Sequence, residues 1–431
     1  MALRNVKGTN DYLPREQQIR NKIREVCEST FQTYGCKPLE TPILNYYDLL
    51  ASKYGGGAEI LKEIYRLSDQ GERELALRYD LTIPFAKVIG MNPEIRFPFK
   101  RYEIGKVFRD GPTKKGRLRE FIQCDVDIVG VESVIAEAEL MVMVFDIFSK
   151  LGLEIEIQYN NRKLLMGILR AMEIEIEDIN EVILSLDKLE KIGVDGVVKE
   201  LEEKGVGNEA IYKIQKLLIN DTIKDFDYYN QNYGHVSIVV DGLQELTELT
   251  ALLEATEIAE YCSFNPFLAR GLNIYTGTVY EVFLKDGSIT SSIGSGGRYD
   301  DIIGNYLGNE VKYPTVGISI GLDVVFTTLM ERNQIEQSFA DVFLYPMGTL
   351  AESMKIARKL RWNGIRVEME LANRKLKKAL DYANKVRIPH VLILGENELK
   401  NGRIQLKDMV NGTSEDVFLN ELYEIMKQRL R

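Results

Sequence analysis

The feature that most restricts the fold lies in the last ~95 residues, where strand and helix patterns alternate without a break. FADVFLYPMG reads as a strand closing in a turn. TLAESMKIARKLRWNG follows as an amphipathic helix, with Met354, Ala357 and Leu360 on one stripe and Asn363-Gly364 as its stop. IRVEMEL then alternates in polarity, RKLKKALDYAN is a second, basic helix, IPHVLILG is a continuous apolar strand, and GRIQLKDM alternates again. A chain patterned in this way buries its strands under helices. The spacing therefore predicts a compact α/β domain over 338–431, with a mostly parallel sheet covered on both faces.

The residues before it are organised differently. Residues 15–34 carry Ile19, Ile23, Val26 and Phe31 on one helical stripe, stopped by Gly35. Strand-like segments follow at FIQCDVDIVG, at 154–158 and at YTGTVYEVFL, the last rich in β-branched and aromatic residues. Between the last two, residues of about 165–255 show repeated helical periods. Within 171–230 stand 15 acidic and 7 basic residues, a net of −8. This stretch reads as a helical insertion between two parts of one sheet.

Charge and composition narrow the function classes. The 431 residues are 45% apolar and 28% charged, which excludes a largely disordered or collagen-like chain. The formal net charge of −10 argues against non-specific coating of nucleic acid or anionic membrane. It is unevenly spread: 341–431 carries 17 basic and 12 acidic residues, or +5, leaving −15 for 1–340. A basic end domain suits a local polyanion contact, or is simply a solvated face. Cys27, Cys36, Cys124 and Cys262 are far apart, and His235 and His390 are the two histidines, so neither a disulfide framework nor a zinc site assembles from local spacing. The N-terminus lacks the apolar core of a signal peptide, and no apolar run approaches the ~20 residues of a membrane span. A reducing, cytoplasmic setting is expected.

Three segments carry candidate chemistry. In VFRDGPTKKGRLREFIQCDVD, residues 107–127, Arg109, Lys114, Lys115, Arg117 and Arg119 cluster around glycines, as a cationic loop between two strands would. Gln123, Asp125 and Asp127 alternate just after it and share one face, which is either solvent-facing or the floor of a site. In FNPFLARGLNIYTGTVYEVF, Arg270 precedes an aromatic strand and Tyr275 offers a phenol. SSIGSGGRYDDIIG would let backbone approach a ligand, yet it matches neither a P-loop nor a dinucleotide fingerprint.

KGTNDYLP, LRYDLTIPFAK at 77–87, the arginine-bearing segment, ARGLNIYTGTVYE and IGSGGRYDDIIG occur in the order and roughly the spacing of histidyl-tRNA synthetases, and the chain resembles that class II family over essentially its whole length. The resemblance implies an α+β catalytic domain over 1–330, an antiparallel sheet flanked by helices and interrupted by the insertion. It implies an anticodon-binding-like α/β domain over 338–431. Position by position, it implies that Arg109 grips the α-phosphate of ATP, that Arg117 lies near the outer phosphates and the tRNA acceptor end, and that Phe121 stacks on adenine. Asp80 and Thr82 would hold the α-amino group of histidine, with Gln123 close by. Asp127 and Tyr275 would take the imidazole nitrogens, Arg270 the carboxylate and α-phosphate, and Tyr299 would line the pocket.

The implied activity is activation of L-histidine by ATP, with Mg2+ on the leaving pyrophosphate, then transfer to tRNA(His). Pro42 matches the proline at the family's dimer interface, so a homodimer with no membrane partner is expected. Two departures stand out. Val324 follows Asp323 where the family usually has an arginine, and Asn273-Ile274 replaces an aspartate and an aromatic residue. They keep a second reading open: a synthetase-like paralogue that senses histidine as a regulatory subunit of ATP phosphoribosyltransferase, without aminoacylation.

Overall fold

The computed structural model describes residues 2–51, 58–114, 116–219, 225–270, 274–309, 311–332 and 338–430. The chain divides into two compact units, Met1–Arg332 and Asn333–Arg431.

The first unit is built on an eight-stranded sheet, beside a small three-stranded one (Leu44–Tyr46, Arg66–Ser68, Glu74–Leu77): β1 (Lys37–Pro38), β2 (Phe99–Phe108), β3 (Glu120–Val129), β4 (Ile155–Asn161), β5 (Cys262–Phe264), β6 (Thr278–Leu284), β7 (Gly294–Arg298) and β8 (Thr315–Gly321). Their order is β1-β2-β3-β8-β7-β6-β4-β5. The inner pairings are antiparallel, and only the two edge pairs, β1–β2 and β4–β5, are parallel. The expected antiparallel sheet flanked by helices is what forms.

Helix α1 (Pro14–Thr33) starts with proline at its first position, where no N–H is needed. Glu16 accepts from the Leu13 N–H at 2.8 Å. Its buried stripe includes Ile19, Ile23, Val26, Cys27 and Phe31. Helix α2 (Thr82–Met91) places Ile83, Phe85 and Ile89 in a core cluster with Tyr275, Tyr299 and Ile303, directly behind the candidate pocket residues. Helix α3 (Ile135–Lys150) buries Leu140, Met141, Val144 and Phe148. Helix α4 (Leu322–Glu331) follows β8 without a loop. The helical insertion runs from Arg162–Ala171 to Ser237–Ala255. It leaves the sheet at β4 and returns at β5, which lies parallel beside β4. The insertion is thus the crossover that a parallel pair requires.

The second unit has β9 (Val342–Met347), β10 (Val367–Met369), β11 (His390–Gly395), β12 (Arg403–Asp408) and β13 (Ser414–Phe418), ordered β10-β9-β11-β12-β13. Helices cover both faces. Val342, Leu344 and Leu392 pack with Ala357 and Leu360, while Phe343, Val391 and Ile393 pack with Ala379 and Ala383. The expectation of a mostly parallel sheet needs correction, because β11–β12 and β12–β13 are antiparallel. Only a one-turn helix, Glu396–Lys400, and a turn join β11 to β12. That link is shorter than the dozen or so residues of a parallel crossover.

Candidate active site

A cavity of about 310 Å3 lies on the central strands of the first unit. Its lining includes Asp80, Thr82, Arg109, Phe121, Gln123, Asp127, Arg270, Tyr275 and Tyr299, nine of the ten candidate residues. Arg117 stands away from it. Its side chain is 45% exposed, and its guanidinium pairs with Glu63 at 2.8 Å.

Strand period fixes the floor. Gln123, Asp125 and Asp127 share one face of β3 and are 8%, 3% and 3% exposed, so the triplet is a site floor and not a solvent face. Asp127 accepts the Tyr299 phenol and lies 2.5 Å from Arg101 Nη2. A Cβ at Gly317 on the adjacent β8 would stand 2.0 Å from Asp127 Oδ1, so only glycine leaves that carboxylate its place. Gln123 donates to Ser319 Oγ at 2.5 Å. On the wall, Arg109 stands 4.3 Å from the Tyr79 ring and 5.0 Å from the Phe121 ring, and its Nε donates to the Tyr79 carbonyl at 3.2 Å. This holds the guanidinium by cation–π contact at the cavity edge. Arg270 pairs with Glu281, whose carboxylate also receives Ser292 Oγ at 3.4 Å.

Burial raises all three acids of the site. It pushes Asp80 up to about 6 against the Ile83 N–H and Arg109, and Asp125 up to about 8 against Arg101. Asp127 is raised by burial too, with Arg101 and Tyr299 opposing. For Asp125 the sign follows directly. From its ordinary 3.8 up to about 8 the unfolded chain loses a proton that the fold retains. Stability is therefore undiminished below that window and falls as pH rises through it. Asp125→Asn keeps the neutral shape, so it should exceed the parent by about 1–3 kcal/mol near pH 8.5 and match it near pH 4 in urea unfolding. Equal stability at both pH values would show that the carboxyl is ionised in the fold.

Several site residues lie outside the sequence-derived set. Asp125 belongs to the alternating triplet, and its period was the signal. Tyr79 adjoins Asp80, but its contact with Arg109 is non-local. Arg101 faces Asp127 through the β2–β3 register, and Glu281 meets Arg270 from β6; pairing register alone reveals either. Ile274 lines the cavity, whereas Lys115 and Asn273 lie outside the described residues. Val324 sits in the first turn of α4, and a Cβ on Gly116 of the cationic loop would lie 3.7 Å from its methyls. The Val324 methyls thus stand beside the cationic loop, at the position where the family usually has an arginine. His235 and His390 are not among the lining residues.

Comparison with known proteins identifies the family. The histidyl-tRNA synthetase family matches residues 8–325, and the anticodon binding domain family matches 341–429. The chain is 60% identical to histidine–tRNA ligase 1 of Bacillus thuringiensis subsp. konkukian over 426 residues, covering 98% of this chain and 99% of that one. The crystal structure of histidyl-tRNA synthetase from Nostoc sp. PCC 7120 superposes with a TM-score of 0.87 at 30% identity, covering 100% of both chains. A Bacillus halodurans structure described as an ATP phosphoribosyltransferase regulatory subunit/histidyl-tRNA synthetase has a TM-score of 0.74 at 20% identity, covering 89% of this chain and 96% of that one, a likeness of fold alone. With its cavity, its two units and a near-complete match to these relatives, the chain belongs to the histidyl-tRNA synthetase family.

Proposed function

We propose that the protein is a histidine–tRNA ligase, which activates L-histidine with ATP and transfers it to tRNA(His). One observation carries the amino-acid half of this reading. Gln123 Oε1, Asp125 Oδ1 and Arg270 Nε are buried polar atoms without a hydrogen-bond partner among the described residues, and all three residues line one cavity. Buried polar groups are normally paired. Two acceptors and a cationic donor complement the ammonium and carboxylate of a free amino acid. Asp127, braced by Tyr299 and Arg101, takes one imidazole nitrogen and Tyr275 the other. A site built this way rejects rings that leave its polar groups unpaired.

In activation the histidine carboxylate attacks the α-phosphorus and pyrophosphate leaves. Arg109 and Arg270 stabilise the charge that builds on the phosphoryl oxygens, Phe121 takes adenine, and Asp80 and Thr82 hold the α-amino group. The terminal ribose hydroxyl of tRNA then attacks the activated carbonyl and AMP departs. Arg117, outside the cavity on the cationic loop, serves the outer phosphates and the acceptor end. Mg2+ would arrive on ATP, as an ion that keeps phosphate and water ligands.

The same reading assigns residues 1–330 to catalysis and the basic 338–431 to the anticodon end of tRNA, in a cytoplasmic homodimer with no membrane partner. No helix among the described residues is long and apolar enough to cross a membrane. Sedimentation should give twice the chain mass of 49.3 kDa; a monomer mass contradicts the dimer. Purified protein should exchange pyrophosphate into ATP when histidine is present, and absence of exchange at millimolar histidine would sink the ligase reading.

A further inference from the structure

The N-terminal KGTNDYLP segment is left without a role by the activity above, yet it is built into the site. Strand β3 pairs with β8 only from Gln123 onward, since Gly321↔Gln123 ends that ladder and the chain enters α4. The N–H groups of Arg119, Glu120 and Ile122 must find other acceptors. The carbonyl of Gly8 accepts from Arg119 N at 2.8 Å and from Glu120 N at 3.3 Å. Asp323, in the first turn of α4, accepts from Ile122 N at 2.7 Å. Its other oxygen receives the Tyr12 phenol at 2.7 Å and the Arg20 guanidinium.

Tyr12 is itself fixed, with Arg20 Cζ 3.8 Å from its ring centroid and Phe326 edge-on at 5.5 Å. Gly8 has φ +84°, and a Cβ there would stand 2.7 Å from Thr113 Cγ2 and 2.8 Å from Arg119 Cγ. Within residues 2–13, Gly8, Thr9 and Tyr12 alone are partly buried, so the segment touches the body where these bonds are made. The residues held in this way adjoin those lining the cavity. Arg119 in turn accepts from Arg109 N at 2.9 Å, and Glu120 and Ile122 flank Phe121.

We propose that residues 8–12 are a positioning strap for the ATP-gripping end of the site, acting through Arg109 and Phe121. The kinetic test rests on the ligase reading, and a second readout does not. In the full-length chain, Gly8→Ala should raise the KM for ATP about five- to tenfold and Tyr12→Phe about two- to fivefold, because small misplacements of binding groups are amplified in rate. The KM for histidine should stay within twofold, since the strap's hydrogen bonds fall on residues 119–122 and none on Asp80, Gln123 or Asp127. Amide hydrogen exchange at 119–122 should quicken in both variants, whether or not the protein is active. If Gly8→Ala does not fold, Tyr12→Phe carries both measurements. An unchanged KM for ATP in the folded variants, a parallel rise of both KM values, or unchanged amide protection overturns the strap. A parent without pyrophosphate exchange overturns the ligase reading instead, and amide protection then decides on the strap alone.

Discussion

Arg270→Ala should lower histidine-dependent pyrophosphate exchange by about 10²–10³-fold, the scale seen when one donor to a developing oxyanion is removed. The guanidinium sits in the cavity wall with one nitrogen on Glu281 and its Nε unpartnered among the described residues. Truncation would do more than remove a donor, because Glu281 would then face the cavity without its counter-charge and repel the incoming phosphate. Arg270→Lys keeps the charge and loses the planar fork, so it should recover part of the rate. The thermal midpoint should fall less than for a fully buried pair, since Glu281 is 17% exposed at the cavity and water can replace the guanidinium there. Exchange within tenfold of the parent in Arg270→Ala would remove this residue from the phosphoryl-transfer step.

The second large effect is on stability. Arg101 is fully buried beneath the site. Its guanidinium reaches Asp127 at 2.5 Å, Glu103 at 3.6 Å and the Leu81 carbonyl at 3.1 Å, and lies 4.4 Å from the Phe85 ring centroid. Arg101→Met preserves much of the volume but strands a buried carboxylate. Breaking such a pair from one side typically costs about 3–5 kcal/mol, even where the intact pair adds little net stability. Urea unfolding at neutral pH should show a loss of that order, accompanied by weaker histidine binding as Asp127 loses its brace. A loss below about 1 kcal/mol would mean that Asp127 is neutral in the fold or that water reaches the gap.

Much of this was legible in the sequence because the signals were local. The period of β3 put Gln123, Asp125 and Asp127 on one face, and the helical stripe of α1 was visible in its apolar spacing. What sequence could not decide was which way the β3 face pointed, since a polar row suits solvent and a site floor equally. The neighbours decide it: Gly317 on β8 makes room for Asp127, and Arg101 on β2 neutralises it. Both contacts depend on register between strands far apart in the chain. The antiparallel direction of β12 escapes the sequence for a related reason, because alternation reports burial and says nothing of strand polarity. Arg117 shows the opposite limit. Its place in a cationic loop was plain, yet its pairing with Glu63 outside the cavity required the fold.

Val324 bears most heavily on the activity, since it offers methyl groups where the family usually places a phosphate-binding guanidinium. A chain that binds histidine without using it would keep the pocket and lose the transfer. Charging of tRNA(His) with labelled histidine separates these outcomes most directly. The account predicts ATP-dependent accumulation of label on the tRNA at near-stoichiometric yield, and none with the other amino acids. Histidine binding that leaves tRNA(His) uncharged at saturating ATP would contradict it.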